Sequence, residues 1–228
     1  MYKILQYDDR IDEESISLFK PLKQQNLYYA SLFSDVEIIQ MTSNGFSNIP
    51  PWWQKVFLVA EILKTCKAVM WVDSDAAIVS KDHPSSLLHK GKHFVMSPNP
   101  NLLGPLSSFF TSPFCAGVWL VKNSPEGNLI MDVWKSAYNE KLWSKGSNNM
   151  WIHNKGLYGG IAYEQGCFQT NILNNKELNK WVDKKQYELL NYLPPPRNNK
   201  NSGNICKTQV FAVHYWANNK FRILDDWK

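Results

Sequence analysis

The triplet Asp73-Ser74-Asp75 is the stretch of this 228-residue chain with the most evident chemistry. It follows an apolar run, Val-Met-Trp-Val at residues 69–72, that reads as a strand driven into a core. Residues two apart on an extended segment point the same way, so both carboxylates can address one cation. Hard oxygen ligands suit Mg²⁺ or Mn²⁺, and a divalent ion held there would neutralise a diphosphate. A D-x-D is common, and taken alone it is more simply a pair of acids in a surface turn. Its place directly after a buried strand favours the metal.

The elements that must position the triplet alternate along the chain. Residues 3–7 and 36–41 read as strands, and between them Leu18, Phe19, Leu22, Leu32 and Phe33 fall at helical spacing over about 16–33. Pro50-Pro51 opens a helix to about residue 64, with Trp52, Val56, Phe57, Ala60 and Leu63 on one face. Residues 68–72 form the strand that ends at the acids, and 94–97 and 117–121 read as two more strands. Ser124 can cap, and Pro125 start, a helix striped with Leu129, Ile130, Val133, Trp134, Ala137 and Tyr138. A Gly/Asn-rich stretch at 146–160 reads as a long loop, and a short helix starts near Glu164. Residues 194–204 form a proline-led polar loop, and 209–213 the last strand. This alternation predicts a single α/β domain with a mostly parallel sheet flanked by helices. In such sheets ligands bind at the carboxyl ends of the strands.

Composition narrows the partners. At 44% hydrophobic and 20% charged residues the chain is an ordinary globular one, long enough to bury about 70% of its unfolded surface without staples. Cys66, Cys115, Cys167 and Cys206 are scattered with no C-x-x-C pair, which argues against a zinc site and for reduced thiols. The sequence has no N-x-[ST] sequon, no leader-like start and no apolar run near the roughly 18 residues of a spanning helix. The expectation is a cytoplasmic protein without a transmembrane segment. A net charge of +5 spread over dispersed lysines gives no nucleic-acid groove. Ten tryptophans suit either a core or the apolar faces of pyranose rings.

Four blocks, in order from about residue 50 to 221, resemble the GT-A nucleotide-sugar glycosyltransferases. PPWWQKVFLVAEILKTCKAVMWVDSDAAIVS resembles their donor-site region, where a lysine-bearing helix precedes a strand ending in D-x-D; Lys55 holds that position. FCAGVWLVKNSPEGNLIMDVW is similar to the acceptor-side strand and helix, with Cys115 where Asn is usual. YEQGCF resembles the [DE]-Q motif that faces the donor sugar, which places Glu164 and Gln165 near the reacting carbon. FAVHYWANNKF resembles the closing H-x₅-K element, with Ala217 in place of the usual Gly. The pattern looks closest to the GMA12/MNN10-type galactosyl/mannosyltransferases and shares features with glycogenin-like enzymes.

The resemblance implies a Mn²⁺ or Mg²⁺ ion held by Asp75 and His214, with Asp73 on metal or ribose. It also implies Lys55 and Lys220 on the diphosphate, and Tyr7 and Asp8 at the nucleoside. The substrates would be a nucleotide-sugar, UDP- favoured over GDP-, and a glycan acceptor. Residues 1–97 would serve mainly the nucleotide-sugar, and 98–228 the acceptor and the closure of the metal site. Glu164 as general base would invert the anomeric centre, whereas the GMA12/MNN10 resemblance implies retention. Each site residue also has a plainer reading: a hydrogen-bonded core histidine at 214, a solvent-facing lysine at 55, a helix-start carboxylate at 164. Two rivals compete. A non-catalytic sugar binder would explain Cys115 and Ala217. A haloacid-dehalogenase-type phosphatase would use Asp73 and Asp75 in its D-x-D, but that motif belongs on a first strand.

Overall fold

The computed structural model describes residues 1–10, 12–43, 45–98, 114–147, 150–155, 159–185, 187–192, 210–215 and 217–227. The proline-led stretch 194–204 lies outside them. The chain begins with β1 (Tyr2–Tyr7), α1 (Glu13–Ser31), β2 (Val36–Met41), α2 (Pro51–Leu63), β3 (Ala68–Val72) and β4 (Ala76–Ile78). It continues through β5 (Phe94–Pro98), β6 (Phe114–Lys122), α3 (Pro125–Ser136) and a hairpin of β7 (Trp143–Lys145) and β8 (Trp151–His153). Then come α4 (Glu164–Phe168), α5 (Lys176–Asn179), β9 (Val182–Lys184), α6 (Tyr187–Leu190), β10 (Ala212–His214) and α7 (Ile223–Asp226).

Among the described residues the central sheet has six strands in the order β2-β1-β3-β6-β5-β9. β2, β1 and β3 run parallel, as do β5 and β9, while β6 is antiparallel to both its neighbours. Because β6 runs backwards, its first residues, not its last, lie beside the carboxyl end of β3. Val118 pairs with Val72, so Cys115, Ala116 and Gly117 extend past the point where the acidic triplet begins.

Both faces of the sheet are covered, and side chains alternate between them with period two. Leu5, Val69, Trp71, Trp119 and Val121 pack with Trp53, Val56 and Val59 of α2 and Ile130, Met131 and Trp134 of α3. Ile4, Met70, Val72, Val118 and Leu120 face the other way, toward Tyr29 of α1, Leu190 and Phe211. This double burial is why β3 reads as an unbroken apolar run.

Helix starts follow their capping chemistry. Asp12 accepts from the Ser15 amide at 2.7 Å, so α1 begins at Glu13, before its apolar stripe. Ser124 accepts from the Gly127 amide at 3.1 Å ahead of Pro125. Two expectations need correction. The stretch 146–160 is not all loop, since Trp151–His153 pairs antiparallel with Trp143–Lys145. The last strand lies at Ala212–His214, starting three residues and ending one residue later than the expected 209–213, because it is set by pairing with β4.

Candidate active site

The carboxyl end of β3, the first residues of β6 and the β4–β10 pair converge on the acids. β4 and β10 pair antiparallel with Ala76 opposite His214, and the Tyr215 amide donates to the Asp75 carbonyl at 2.9 Å. A residue 139 positions away in sequence is thereby placed against the triplet: His214 Nε2 lies 3.1 Å from Asp75 Oδ1 and 3.8 Å from Asp73 Oδ2. One ligand atom each from Asp73, Asp75 and His214 falls within a span of 4.8 Å.

The imidazole is seated rather than merely close. Its Nδ1 lies 3.0 Å from Asn191 Oδ1, and Asn191 Nδ2 donates to Ser97 Oγ at 2.5 Å and the Val118 carbonyl at 3.4 Å. A carbonyl only accepts, so the Asn191 amide is oriented with its oxygen toward the ring. Nδ1 therefore carries the hydrogen and Nε2 faces the acids. Beneath the ring lies Gly117, where an added Cβ would sit 2.0 Å from His214 Cε1. Cys115 Sγ is 3.8 Å from Nδ1, on the side away from the acids.

Every acid of the site has a cation. Lys55 Nζ donates to Asp73 Oδ1 at 2.8 Å and to the Ala116 carbonyl at 3.2 Å, and lies 3.9 Å from Glu164 Oε1. Trp71 Nε1 donates to the same Asp73 oxygen at 2.6 Å. Lys220, from the 3₁₀ turn Ala217–Arg222, lies 2.9 Å from Asp75 Oδ2. Burial favours a neutral Asp75, but His214 and Lys220 outweigh it and hold its carboxyl well below the usual range. Burial likewise depresses His214, and the Asp75 charge outweighs it and raises the ring well above the ordinary histidine value. The Lys55 ammonium, buried but set between Asp73 and Glu164, is held charged.

Glu164 is buried at the first position of α4, and burial pushes its carboxyl up to about 7 against the pull of Lys55. Its Oε2 has no hydrogen-bond partner among the described residues. Gln165 follows it, half-buried, donating through Nε2 to the Phe114 carbonyl at 3.0 Å. The turn ahead of the pair is pinned at Ala162, whose carbonyl accepts from Trp53 Nε1 at 2.8 Å and Trp143 Nε1 at 3.1 Å. At the end of β1, Tyr7 packs against the main core cluster. Asp8 Oδ1 accepts from Arg10 Nε at 2.7 Å, and its Oδ2 lies 3.1 Å from Lys23.

The structure thus brings Asp73, Asp75, His214, Lys55, Lys220 and Glu164 into one cluster, with Gln165 adjoining Glu164. Sequence reasoning missed Asn191, Gly117 and Arg10. Gly117 sat inside a motif already singled out, whereas nothing in the spacing marks Asn191.

The whole described chain superposes on a glycosyltransferase involved in glycosylating the major capsid of PBCV-1, with a TM-score of 0.63 at 13% identity over 99% of this chain and 98% of that one. The fold is that of the GT-A glycosyltransferases. The bifunctional glycosyltransferase WbbM (TM-score 0.55, 9% identity, 99% of this chain) and GlyE of Streptococcus pneumoniae TIGR4 (0.53, 12%, 96%) share it. This chain spans 49% and 56% of those two proteins. No family model matches the sequence, and no curated protein matches it. The acidic triplet follows β3, the third strand of the chain, and not the first strand that the phosphatase motif requires. No helix among the described residues is long and apolar enough to cross a membrane. Among the described residues, Cys66, Cys115 and Cys167 are free thiols.

Proposed function

We propose that the protein transfers a hexose from a nucleoside-diphosphate sugar, UDP- in preference to GDP-, to a hydroxyl of a glycan acceptor. The observation that carries this reading is the convergence of Asp73, Asp75 and His214 at the carboxyl end of β3, within a GT-A fold. The donor set fits a divalent ion: two carboxylates and one imidazole, with the ring seated over Gly117 and its Nε2 turned inward. Three protein ligands leave positions for the phosphate oxygens of a donor. Mn²⁺ or Mg²⁺ bound there would supply Lewis-acid stabilisation of the departing nucleoside diphosphate.

The remaining roles fall to the chain itself. Lys220, drawn to Asp75 here, is on a turn from which it can pair with a diphosphate once that carboxylate is otherwise engaged. Lys55 fixes Asp73 from behind and offsets its charge. Tyr7 and Asp8 stand at the β1 end, where the nucleoside would lie. Gln165 faces the donor sugar, and Glu164, buried against Lys55, holds that lysine in place. This arrangement suits same-face attack with retention, as in the GMA12/MNN10-type enzymes. One observation favours a second reading. The unpartnered Glu164 Oε2 and a carboxyl poised at about 7 are what a general base for an inverting transfer requires.

The test is release of nucleoside diphosphate from UDP- and GDP-sugars with Mn²⁺, with and without EDTA. Wild type should hydrolyse at least one donor slowly without acceptor, and Asp75→Ala should lose this while staying folded. Turnover undiminished by EDTA would remove the metal from the mechanism. Donor binding without any release would make the protein a nucleotide-sugar binder.

A further inference from the structure

Arg10 is held on three sides at the edge of the acidic loop. Its Nε donates to Asp8 Oδ1 at 2.7 Å, its Nη2 to Ser74 Oγ at 2.5 Å, and its guanidinium carbon lies 4.0 Å from the centroid of the Phe19 ring. Ser74 is the residue between the two acids, so the guanidinium is fixed beside the metal triad. Asp8, itself buried, is shared with Lys23 at 3.1 Å, and the three side chains together carry a net positive charge. Lys220, the cation on Asp75, lies 6.0 Å from the same Phe19 ring. Two cations from opposite ends of the chain therefore border the acids on one aromatic support.

A guanidinium has five N–H donors in a planar fork. Nε and one Nη2 hydrogen are committed to Asp8 and Ser74; the remaining N–H groups have no acceptor among the described residues. A part-exposed arginine already immobilised by an ion pair, a ring face and a hydroxyl has given up its rotamer freedom, so binding an anion costs little further entropy. Phosphate oxygens match this planar, charge-assisted geometry as carboxylates do, and phosphates are the anions that the proposed donor carries.

We propose that Arg10 is a donor-binding residue whose free guanidinium edge takes phosphate oxygens of the nucleoside diphosphate, with Asp8 and Ser74 holding it in position. This rests on the glycosyl-transfer reading. It also gives Asp8 a role through Arg10 rather than through direct contact with the nucleoside.

The experiment is calorimetric titration of UDP and of GDP with Mn²⁺ present, on wild type, Arg10→Ala, Arg10→Gln and Arg10→Lys. Mn²⁺ affinity alone is measured in parallel by electron paramagnetic resonance. For whichever nucleotide wild type binds, affinity should fall at least about tenfold in Arg10→Ala and Arg10→Gln, and Arg10→Lys should recover only part. Mn²⁺ affinity alone should stay within about twofold of wild type in all three. Arg10→Gln keeps most of the aliphatic stem and a polar head, so it gives the reading even if Arg10→Ala fails to fold. Nucleotide affinity within about twofold of wild type overturns the proposal. So does a matching loss of Mn²⁺ affinity, which would make Arg10 a brace for the acidic loop. Either result leaves the glycosyl-transfer reading standing. Wild type binding neither nucleotide would instead overturn that reading, and this inference with it.

Discussion

His214 has two ring nitrogens, and the Asn191 amide decides which one meets the acids. Because Asn191 Nδ2 is committed to Ser97 and to the Val118 carbonyl, its oxygen accepts the Nδ1 hydrogen and leaves Nε2 facing Asp73 and Asp75, the atom that would ligate the proposed ion. Asn191→Ala removes that orientation without touching any ligand. Mn²⁺ affinity should fall by about 10–100-fold, read directly by electron paramagnetic resonance rather than through turnover. Gly117→Ala tests the same seat from below. A Cβ 2.0 Å from Cε1 forces the ring or the β6 backbone to move. The expected result is a similar loss of Mn²⁺ affinity together with about 1–3 kcal/mol of stability. An unchanged affinity in both variants would mean that His214 is not a ligand. Glu164→Gln separates the two readings of that carboxyl. If Glu164 only anchors Lys55, kcat should drop by about tenfold or less, and the pH profile should keep its shape. A base works only when deprotonated, so with a carboxyl near 7 its activity would rise as pH climbs through that value. In that case the substitution would erase the rise and cost about 10²–10⁴ in kcat.

At the scale of elements, the site depends on a strand that runs against its neighbours and on a two-stranded clamp outside the main sheet. β6 delivers Ala116 and Gly117 to the carboxyl end of β3 only because it is antiparallel, and β4 with β10 delivers His214. Much of this was legible. β2 and β3 were expected at their observed bounds because one is delimited by turn residues and the other is a five-residue run buried on both faces. The acids at the end of β3 followed directly. Asn191 was not legible, because it is a lone amide in an apolar stretch beside Leu189, Leu190 and Tyr192, and matters only through the meeting of β5, β6 and β10. The β7–β8 hairpin was hidden because each strand has three residues and its Gly/Asn-rich connection dominates the local pattern. That hairpin brings Trp143 to the Ala162 carbonyl, which Trp53 of α2 also reaches. Trp53→Phe keeps an aromatic side chain but is smaller than the indole, and removes one of the two donors. Stability should fall by about 1–3 kcal/mol, mostly from the cavity left in a fully buried site, because Trp143 still satisfies the carbonyl. Turnover should fall by more than Mn²⁺ affinity does, since the loosened turn carries Glu164 and Gln165 and not the triad. Equal losses in both would mean that the turn and the triad do not act separately.

For the molecule as a whole, a divalent ion held by the proposed triad would work as a long-range tie. Asp73 and Asp75 sit between β3 and β4 in the first third of the chain, and His214 lies near its end, held to β4 by one short ladder. In the unfolded chain these ligands are far apart, so an ion that needs all three binds only the folded state. Mass action then adds about 2.7 kcal/mol at a hundredfold excess over Kd. A domain of this size shifts by about 2–4 °C per kcal/mol, so saturating Mn²⁺ should raise Tm by about 5–10 °C. EDTA should reverse the rise. Asp75→Asn, which keeps the side-chain shape but removes the charge, should abolish it. The same substitution leaves Lys220 and His214 beside a neutral amide, so the metal-free variant should also melt below the metal-free wild type. A Mn²⁺-dependent rise that survives in Asp75→Asn would place the ion elsewhere in the molecule. The absence of any rise in wild type would mean that the cations now paired with the acids, Lys55 and Lys220, outcompete the metal unless the donor diphosphate is also bound. Repeating the melt with Mn²⁺ and UDP together then tests that coupling, because only a joint site gives a shift larger than either ligand produces alone.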